Sequence, residues 1–292
     1  MTYLNKHPIV MIVIGIIGIS LSSIFVKYAD APSAVTAAFR LLWTVLFLTP
    51  VVIGRKDSRQ ELLHISLKNG LLSALSGLFL AIHFVLWFES LRHTSVASST
   101  TIVCTEVIWV ALGFRVFLKG HLSGRAVAAI AVALAGSILI ALSDSHGRGN
   151  LYGDILALLA AIAVALYTLI GRVVRGSVST GVYTCIVYTV CAAVLLITCM
   201  VQGYGLFDYG ISAPVVGLLL ALFSTILGHS IFSWCLKYFS PAFVSASKLC
   251  EPVVAAILAA ILFTEIPGLL QISGGVLILG GVLCYSRLEM SR

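Results

Sequence analysis

Ten apolar stretches, each long enough to cross a lipid bilayer as an α-helix, constrain the fold of this chain more than any motif does. Each holds 19 to 26 residues, and about 20 residues of α-helix span the roughly 30 Å hydrocarbon core of a bilayer. The pattern predicts an all-α integral membrane protein with ten transmembrane helices. The stretches cover approximately residues 9–29, 32–53, 69–91, 94–118, 124–142, 151–173, 179–201, 213–238, 241–263 and 268–286.

The composition excludes a soluble globular domain. Hydrophobic residues make up 60% of the chain and charged residues 10%, and the mean hydropathy is +1.10. The isoelectric point near 9.1 comes from Lys and Arg in short loops, with no basic stripe of the kind that binds nucleic acid. The expected partners are therefore a lipid bilayer and a small-molecule substrate, with no nucleic acid. A monomer and a homodimer both stay open.

The chain lacks the common motifs for catalysis, metal binding or ATP use. It has no His-Glu-x-x-His, Gly-x-Ser-x-Gly or Walker sequence. Its seven cysteines all fall within the apolar stretches, without metal or redox spacing, so we expect them to be small packing residues. We therefore expect no enzyme activity, no metal and no cofactor.

Lys and Arg are distributed unevenly between the two sets of loops. With the N-terminus inside the cell, thirteen of the 18 lie on the cytoplasmic side and three lie outside, while Arg40 and Lys248 lie within apolar stretches. Because cytoplasmic loops are enriched in Lys and Arg, we expect both termini in the cytoplasm and the chain in the inner or plasma membrane. The longest connection, residues 54–68, is predicted either as an interfacial helix or as a solvated linker.

The sequence contains an internal duplication. Residues 95–118 match residues 240–263 at a constant offset of 145, and this offset pairs Glu106 with Glu251. Because each repeat holds five helices, the second must enter the membrane in the opposite direction, an arrangement associated with alternating-access transporters. The predicted repeats are residues 1–145 and 146–292.

Two charges lie at the predicted membrane midplane in residues 240–263. Glu251 lies about ten residues, or ~15 Å, beyond the start of its helix, and Lys248 lies three residues before it. Charged side chains at this depth are costly and suggest a functional site. Pro252 cannot bond the carbonyl of Lys248 and predicts a helix break beside both charges. A structural ion pair between Lys248 and Glu251 is the alternative to a substrate or coupling role.

Helical spacing places other polar side chains on faces that must turn toward protein or water. Glu106 has no charged neighbour on its own helical face and is the predicted proton carrier, whereas Arg40 either binds substrate or braces its helix. His83 and His229 are predicted either as proton carriers or as hydrogen-bonded interior histidines. The candidate substrate-binding residues are Glu251, Lys248, Glu106, Arg40, Trp87, Ser99 and Ser247. The candidates for proton coupling are Glu106, His83 and His229.

Several motifs resemble those of the drug/metabolite transporter superfamily, EamA type. One is the opening of the second stretch, another the opening of the sixth, and two are connectors of the form aromatic-x-x-x-Leu-Lys/Arg. The ending of the ninth stretch also matches, through Glu251-Pro252. In order, the first four motifs are PSAVTAAFR (32–40), GDILALLAAIAVALY (153–167), WFESLRHTSVA (87–97) and FSWCLKYFSPA (232–242).

This resemblance implies ten helices in two inverted five-helix repeats. Helices 1 to 4 and 6 to 9 would surround a central cavity, and helices 5 and 10 would be peripheral. The chain departs from the pattern at Thr105-Glu106-Val107, which lacks the proline of Glu251-Pro252. Helix 4 is therefore expected to be straighter than helix 9.

These observations predict a secondary transporter of a small polar organic metabolite that works by alternating access. Buried charges of both signs favour an amino acid or a similar zwitterion, with a carboxylate at Arg40 or Lys248 and an amine at Glu106 or Glu251. Protonation of a glutamate or histidine would couple transport to pH. Export is favoured only by the resemblance. An organic cation or drug efflux pump and, more distantly, a passive solute channel are the alternatives.

Overall fold

The computed structural model describes residues 8–26, 28–94, 96–143, 151–263 and 268–290, and in these ranges all regular secondary structure is helical. One segment, Leu220–His229, is a π-helix. The α-helices are α1 (Pro8–Ser20), α2 (Ser22–Val26), α3 (Ser33–Gly54), α4 (Lys56–Leu63), α5 (Leu67–His93), α6 (Val96–Cys104), α7 (Glu106–Val116), α8 (Gly124–Ser143), α9 (Leu151–Val174), α10 (Thr180–Val201), α11 (Ser212–Leu219), α12 (Ser230–Cys235), α13 (Pro241–Lys248), α14 (Glu251–Phe263) and α15 (Leu269–Met290).

The helices confirm the predicted spans. Within the described residues, nine helical stretches are long and apolar enough to cross a membrane, and span 5 contains a shorter apolar helix, Gly124–Ile140. Spans 2, 3, 5, 6, 7 and 10 are the single helices α3, α5, α8, α9, α10 and α15, whereas spans 1, 4, 8 and 9 are built from shorter pieces. The predicted repeat boundary after residue 145 and both chain ends lie outside the described residues.

Two clusters of buried apolar side chains hold the bundle together. The first joins α3, α5, α9 and α10 around residues such as Phe84 and Tyr183. The second joins α1, α8, α12, α13 and α15 around residues such as Ile16 and Phe243. Other faces carry exposed Leu, Ile and Val side chains, as expected for helices that contact lipid tails.

Spans 5 and 10 pack against each other through glycines. A Cβ atom at Gly136 would lie 2.5 Å from the carbonyl oxygen of Gly274, and one at Gly281 would lie 2.7 Å from that of Ala129. Backbones approach this closely only where side chains are absent. The small residues of these spans therefore form the contact between α8 and α15.

The long connection between spans 2 and 3 contains α4, which has no buried residues. The carboxylate of Glu61 accepts a 2.6 Å hydrogen bond from the backbone N–H of Ser179, at the start of α10. Of the two predicted forms of this connection, the structure has a helix, and that helix is tied to the bundle through α10.

Four spans change their backbone geometry midway. α1 and α2 are separated at Leu21, α6 and α7 at Thr105, and α13 and α14 at residues 249–250. Span 8 contains the π segment, whose turns are wider than those of an α-helix. Irregular backbone at membrane depth is tolerated where it is covered by protein or lines a cavity. The breaks therefore indicate where a cavity lies.

The missing proline predicts a straighter span 4, but the structure breaks span 4 as well as span 9. The hydroxyl of Thr105 donates a 2.6 Å hydrogen bond to the carbonyl of Ile102, and the backbone N–H of Thr105 bonds the same carbonyl at 3.0 Å. A threonine that bonds back to the preceding turn competes with the α-helical pattern. In span 9, Pro252 lies in the first turn of α14, where its missing N–H is tolerated.

Candidate functional site

The broken spans and the π segment meet around a central cavity of about 60 Å³. Since one water molecule needs roughly 10–15 Å³ of such space, the cavity has room for about four to six. Its lining comes from spans 1, 2, 3, 4, 6, 8 and 9, so span 7 supplies none of the lining residues although the resemblance implies that it would. Seven predicted site residues line the cavity: Arg40, His83, Trp87, Glu106, His229, Lys248 and Glu251.

Lys248 forms an ion pair across the cavity with Glu106, not with Glu251. Its Nζ lies 2.9 Å from Glu106 Oε1, and the two side chains are 12% and 6% exposed. The residues are 142 positions apart and belong to different repeats. Glu106 has no charged neighbour on its own helical face, as expected, but Lys248 reaches it from another helix. The pair joins the start of α7 to the end of α13.

Glu251 is the first residue of α14, as Glu106 is the first residue of α7. The positive end of the helix dipole favours a carboxylate at both positions. The Glu251 side chain lines the cavity, but it makes no hydrogen bond or ion pair with any of the described residues. Its backbone carbonyl accepts a 3.4 Å hydrogen bond from Ser20. Of the two glutamates that line the cavity, Glu251 is thus the one available to a ligand.

Arg40 places a guanidinium at the cavity from the middle of α3. The residue is 1% exposed, and its Nε donates a 2.7 Å hydrogen bond to Thr225 Oγ1 in the π segment. Its Cζ lies 4.3 Å from the centre of the Phe84 ring, a cation–π contact. Nη1 has no hydrogen-bond partner in the part of the chain that the structure describes. Arg40 therefore braces two spans and still has a free donor.

His83 stacks on Trp87 in α5, with ring centroids 5.9 Å apart and planes inclined by 13°. Its Nδ1 lies 3.0 Å from the carbonyl of Ala160. A carbonyl only accepts hydrogen bonds, so Nδ1 carries the proton and His83 is partly satisfied by the protein. His229 packs edge-on against the rings of Phe84 and Tyr167, at 5.5 and 6.1 Å.

Three predicted residues are not among those lining the cavity. Ser99 accepts a 2.8 Å hydrogen bond from Ser90. Ser247 donates a 2.9 Å hydrogen bond to the carbonyl of Phe243, in the preceding turn of α13. Pro252 lies in the first turn of α14. Substrate contact by either serine stays a prediction, since both hydroxyls are already bonded within the protein.

The structure adds lining residues that helical spacing did not single out. Ser22 and Ser224 line the cavity with buried hydroxyls that lack partners among the described residues. Ser224 was missed because spacing of 3.6 residues per turn does not hold in the π segment. Ser22 follows the break at Leu21, where the same periodicity is interrupted.

Polar contacts close the bundle between α9 and the end of span 8. The Tyr167 hydroxyl lies 2.8 Å from Ser233 Oγ. Arg172 donates to the carbonyl of Leu236, and Arg175, which is 4% exposed, donates to that of Ser233 at 3.1 Å. Burial lowers the pKa of Arg175 from its ordinary value. Arginines at the last carbonyls of a helix satisfy groups that the helix leaves unpaired.

Ten spans, with broken helices around a charged central cavity, define a multi-pass membrane protein with the architecture associated with inverted-repeat transporters. The chain belongs to the EamA-like transporter family, whose model matches twice, at residues 7–142 and 151–287. This family is part of the drug/metabolite transporter superfamily, as the motifs predicted.

Similar proteins include two uncharacterized transporters of Bacillus subtilis (strain 168). YdfC is 24% identical over 69% of this chain and 65% of its own length, and YxxF is 25% identical over 96% and 88%. The chain thus spans about two thirds of YdfC. A "Probable terminal-alkyne amino-acid exporter" of Streptantibioticus cattleyicolor is 24% identical over 68% of this chain and 67% of its own length. A crystal structure of 16% identity has the same fold, with a TM-score of 0.80 over 98% of both chains.

Proposed function

We propose that this chain is a secondary active transporter, and not an enzyme, that moves an amino acid or a similar small zwitterion across the cell membrane. Transport would proceed by alternating access, with the two repeats moving relative to each other around the central cavity. The cavity of about 60 Å³ is too small for an amino acid. The binding conformation therefore requires the spans around the cavity to move apart.

The charge balance of the cavity is the observation that carries this proposal. Two cationic and two carboxylate side chains line it, but only Lys248 and Glu106 form an ion pair. Arg40 keeps a free Nη1 donor, and the Glu251 carboxylate forms no ion pair with any described residue. A zwitterion complements these two remaining charged groups, with its carboxylate at Arg40 and its ammonium group at Glu251. The positive charges of Arg40 and Lys248 in the same cavity argue against the alternative of an organic cation pump, because like charges repel.

Glu251 is also the better candidate for coupling to protons. Glu106 is held by Lys248 at 2.9 Å, so we replace the expectation that Glu106 carries the proton. A proton and a substrate ammonium group would compete for the same Glu251 carboxylate, which couples their movements in opposite directions. The titratable or charged groups that share the cavity with Glu251 are Lys248, Glu106, Arg40, His83 and His229.

Export from the cytoplasm, through the inner or plasma membrane, is the proposed direction. The relative named as an amino-acid exporter supports this direction. The thirteen Lys and Arg residues on the predicted cytoplasmic side support the orientation of the chain in the membrane. In this topology the end closed by Arg172 and Arg175 faces the cytoplasm. That end must open for substrate to enter from inside.

The test is flux in proteoliposomes under imposed pH gradients, with labelled L-phenylalanine, L-leucine and glycine as probes. The wild type should accumulate at least one probe against its gradient when the proton gradient runs in the opposite direction. Glu251→Gln should abolish the effect of pH and weaken substrate binding. Glu106→Gln should keep the pH dependence, because it leaves Glu251 intact.

Three outcomes would contradict the proposal. Loss of pH dependence in Glu106→Gln but not in Glu251→Gln would restore Glu106 as the proton carrier. Flux that rises without saturation and never exceeds the imposed gradient would identify a passive channel. Transport of phenethylamine without transport of any amino acid probe would favour an organic cation pump.

A further inference from the structure

A second cavity lies at one end of the bundle, beside the connection between spans 1 and 2. Its volume is about 520 Å³, within the roughly 300–1,000 Å³ typical of small-molecule sites. The proposed topology places this end outside the cell. We call it the outer vestibule, and the lining residues that matter here are Asp30, Thr36, Phe88, Leu91, Arg92 and Tyr209.

Asp30 and Arg92 give the outer vestibule one carboxylate and one guanidinium. Asp30 lies in the connection before α3, which is fixed by a 3.3 Å hydrogen bond from the Asp30 backbone N–H to Ser212 Oγ. Arg92 lies in the last turn of α5. Neither side chain forms an ion pair with any of the described residues. Both charges are available to a ligand that carries charges of both signs.

Thr36 adds a buried hydroxyl to the same cavity. Its side chain is 2% exposed, and Oγ1 has no hydrogen-bond partner within the ranges that the structure describes. Buried polar atoms normally have partners, so this hydroxyl has an unused hydrogen bond to offer a group that enters the cavity. Thr36 precedes Arg40 by one helical turn, ~6 Å along α3. The outer vestibule therefore adjoins the central cavity.

The two cavities differ in volume in this conformation. The central cavity holds about 60 Å³ and the outer vestibule about 520 Å³, so only the larger of the two accommodates an amino acid. Phe88, Leu91 and Tyr209 give the vestibule an apolar wall. Burial of a side chain against such a wall favours apolar and aromatic amino acids over glycine.

We propose that the outer vestibule is a second binding site, for amino acids with apolar or aromatic side chains, between the central cavity and the outside. The ammonium group of the ligand lies at Asp30 and its carboxylate at Arg92. One of these two groups also bonds the Thr36 hydroxyl, and the side chain of the ligand packs against Phe88 and Leu91. This inference rests on the proposed function for its class of substrate. It adds a site that acts from one side of the membrane.

The sharpest test compares substrate affinity on the two sides of the membrane. The concentration of L-phenylalanine that half-saturates exchange is measured from each side, in proteoliposomes of known orientation. Asp30→Asn and Arg92→Gln should raise this concentration about three- to fivefold from the vestibule side, since exposed charge contacts contribute modestly. The value from the opposite side should not change. Thr36→Val should act in the same direction, and glycine should respond less than L-phenylalanine.

Inhibitors that carry a single charge test the contacts at Arg92 and Asp30 separately. Inhibition by external 3-phenylpropionate should weaken in Arg92→Gln only, and inhibition by external phenethylamine in Asp30→Asn only. Asp57→Asn and Arg59→Gln, in the exposed helix α4, serve as controls and should change neither. Vestibule variants that shift both sides equally, or neither side, would overturn the second site. A wild type that exchanges no amino acid would instead refute the proposed function, and the substrate class of the vestibule with it.

Discussion

Replacing Lys248 by methionine should strongly destabilise the protein. Lys248 Nζ lies 2.9 Å from Glu106 Oε1, and both side chains are nearly buried, at 12% and 6% exposed. Removing one partner of a buried ion pair leaves the other charge uncompensated, at a cost of about 3–5 kcal/mol. At ~2–4 °C per kcal/mol, Lys248→Met should lower the Tm by on the order of 10 °C.

The reciprocal variant, Glu106→Gln, should cost less because glutamine keeps a side-chain oxygen that accepts a hydrogen bond from Lys248 Nζ. Lys248 is then held in place and Glu251 stays unpaired. In the double variant both buried charges are gone, and such replacements are often close to neutral. It should therefore recover most of the loss of Lys248→Met, a coupling of about 2–4 kcal/mol.

Thermal unfolding followed with a thiol-reactive fluorogenic dye measures these effects. Six of the seven cysteines are buried, so the dye reports unfolding, and Cys284→Ser removes the exposed background thiol. The reasoning is refuted if Lys248→Met lowers the Tm by less than ~2 °C, or if the double variant is as unstable as the two single variants added together. If Lys248→Ala instead folds normally but binds substrate more weakly, the lysine contacts substrate.

Three further predictions concern the rest of the bundle. Topology reporters fused after Arg59 and Gly120 should lie in the cytoplasm and one after Gly203 outside; an opposite result would reverse the proposed orientation. Gly281→Ala should destabilise by about 1–3 kcal/mol in thermal unfolding, because its Cβ would lie 2.7 Å from the carbonyl oxygen of Ala129. Gly280→Ala, with nothing within 4 Å of its Cβ, is the matched control and should be neutral or slightly stabilising. Arg175→Gln should lower the Tm through the lost contact to Ser233, by about 1–3 kcal/mol, and an unchanged Tm would show that the contact does not stabilise the closed end.

The fold was predictable because membrane spans depend on local composition. The uninterrupted apolar stretches locate all ten spans, and the alternation of basic loops with the offset of 145 residues predicts an inverted duplication. The candidate residues of the cavity were also largely predictable. Polar side chains such as Arg40 and His83 are rare in apolar helices, and the cost of exposing them to lipid forces them toward one interior.

Pairing within the cavity was not predictable, because helical spacing describes neighbours on one helix only. It places Lys248 beside Glu251, whereas the structure joins Lys248 to Glu106, 142 residues away. Irregular backbone caused the other differences. The break at Thr105 arises from a side-chain hydrogen bond rather than a proline, and the π segment brings Ser224 to the cavity outside the α-helical register.

The single lysine makes the two equivalent glutamates different. Val103 occupies the place in the first repeat that Lys248 occupies in the second, and both line the cavity. The cavity therefore has one lysine for two glutamates. Lys248 pairs with Glu106, and Glu251 is left for a proton or an ammonium group. Val103→Lys should supply the missing cation, neutralise Glu251, and abolish pH-dependent transport in liposomes while the protein stays folded. Undiminished transport in a folded Val103→Lys variant would show that an unpaired Glu251 is not what binds the substrate.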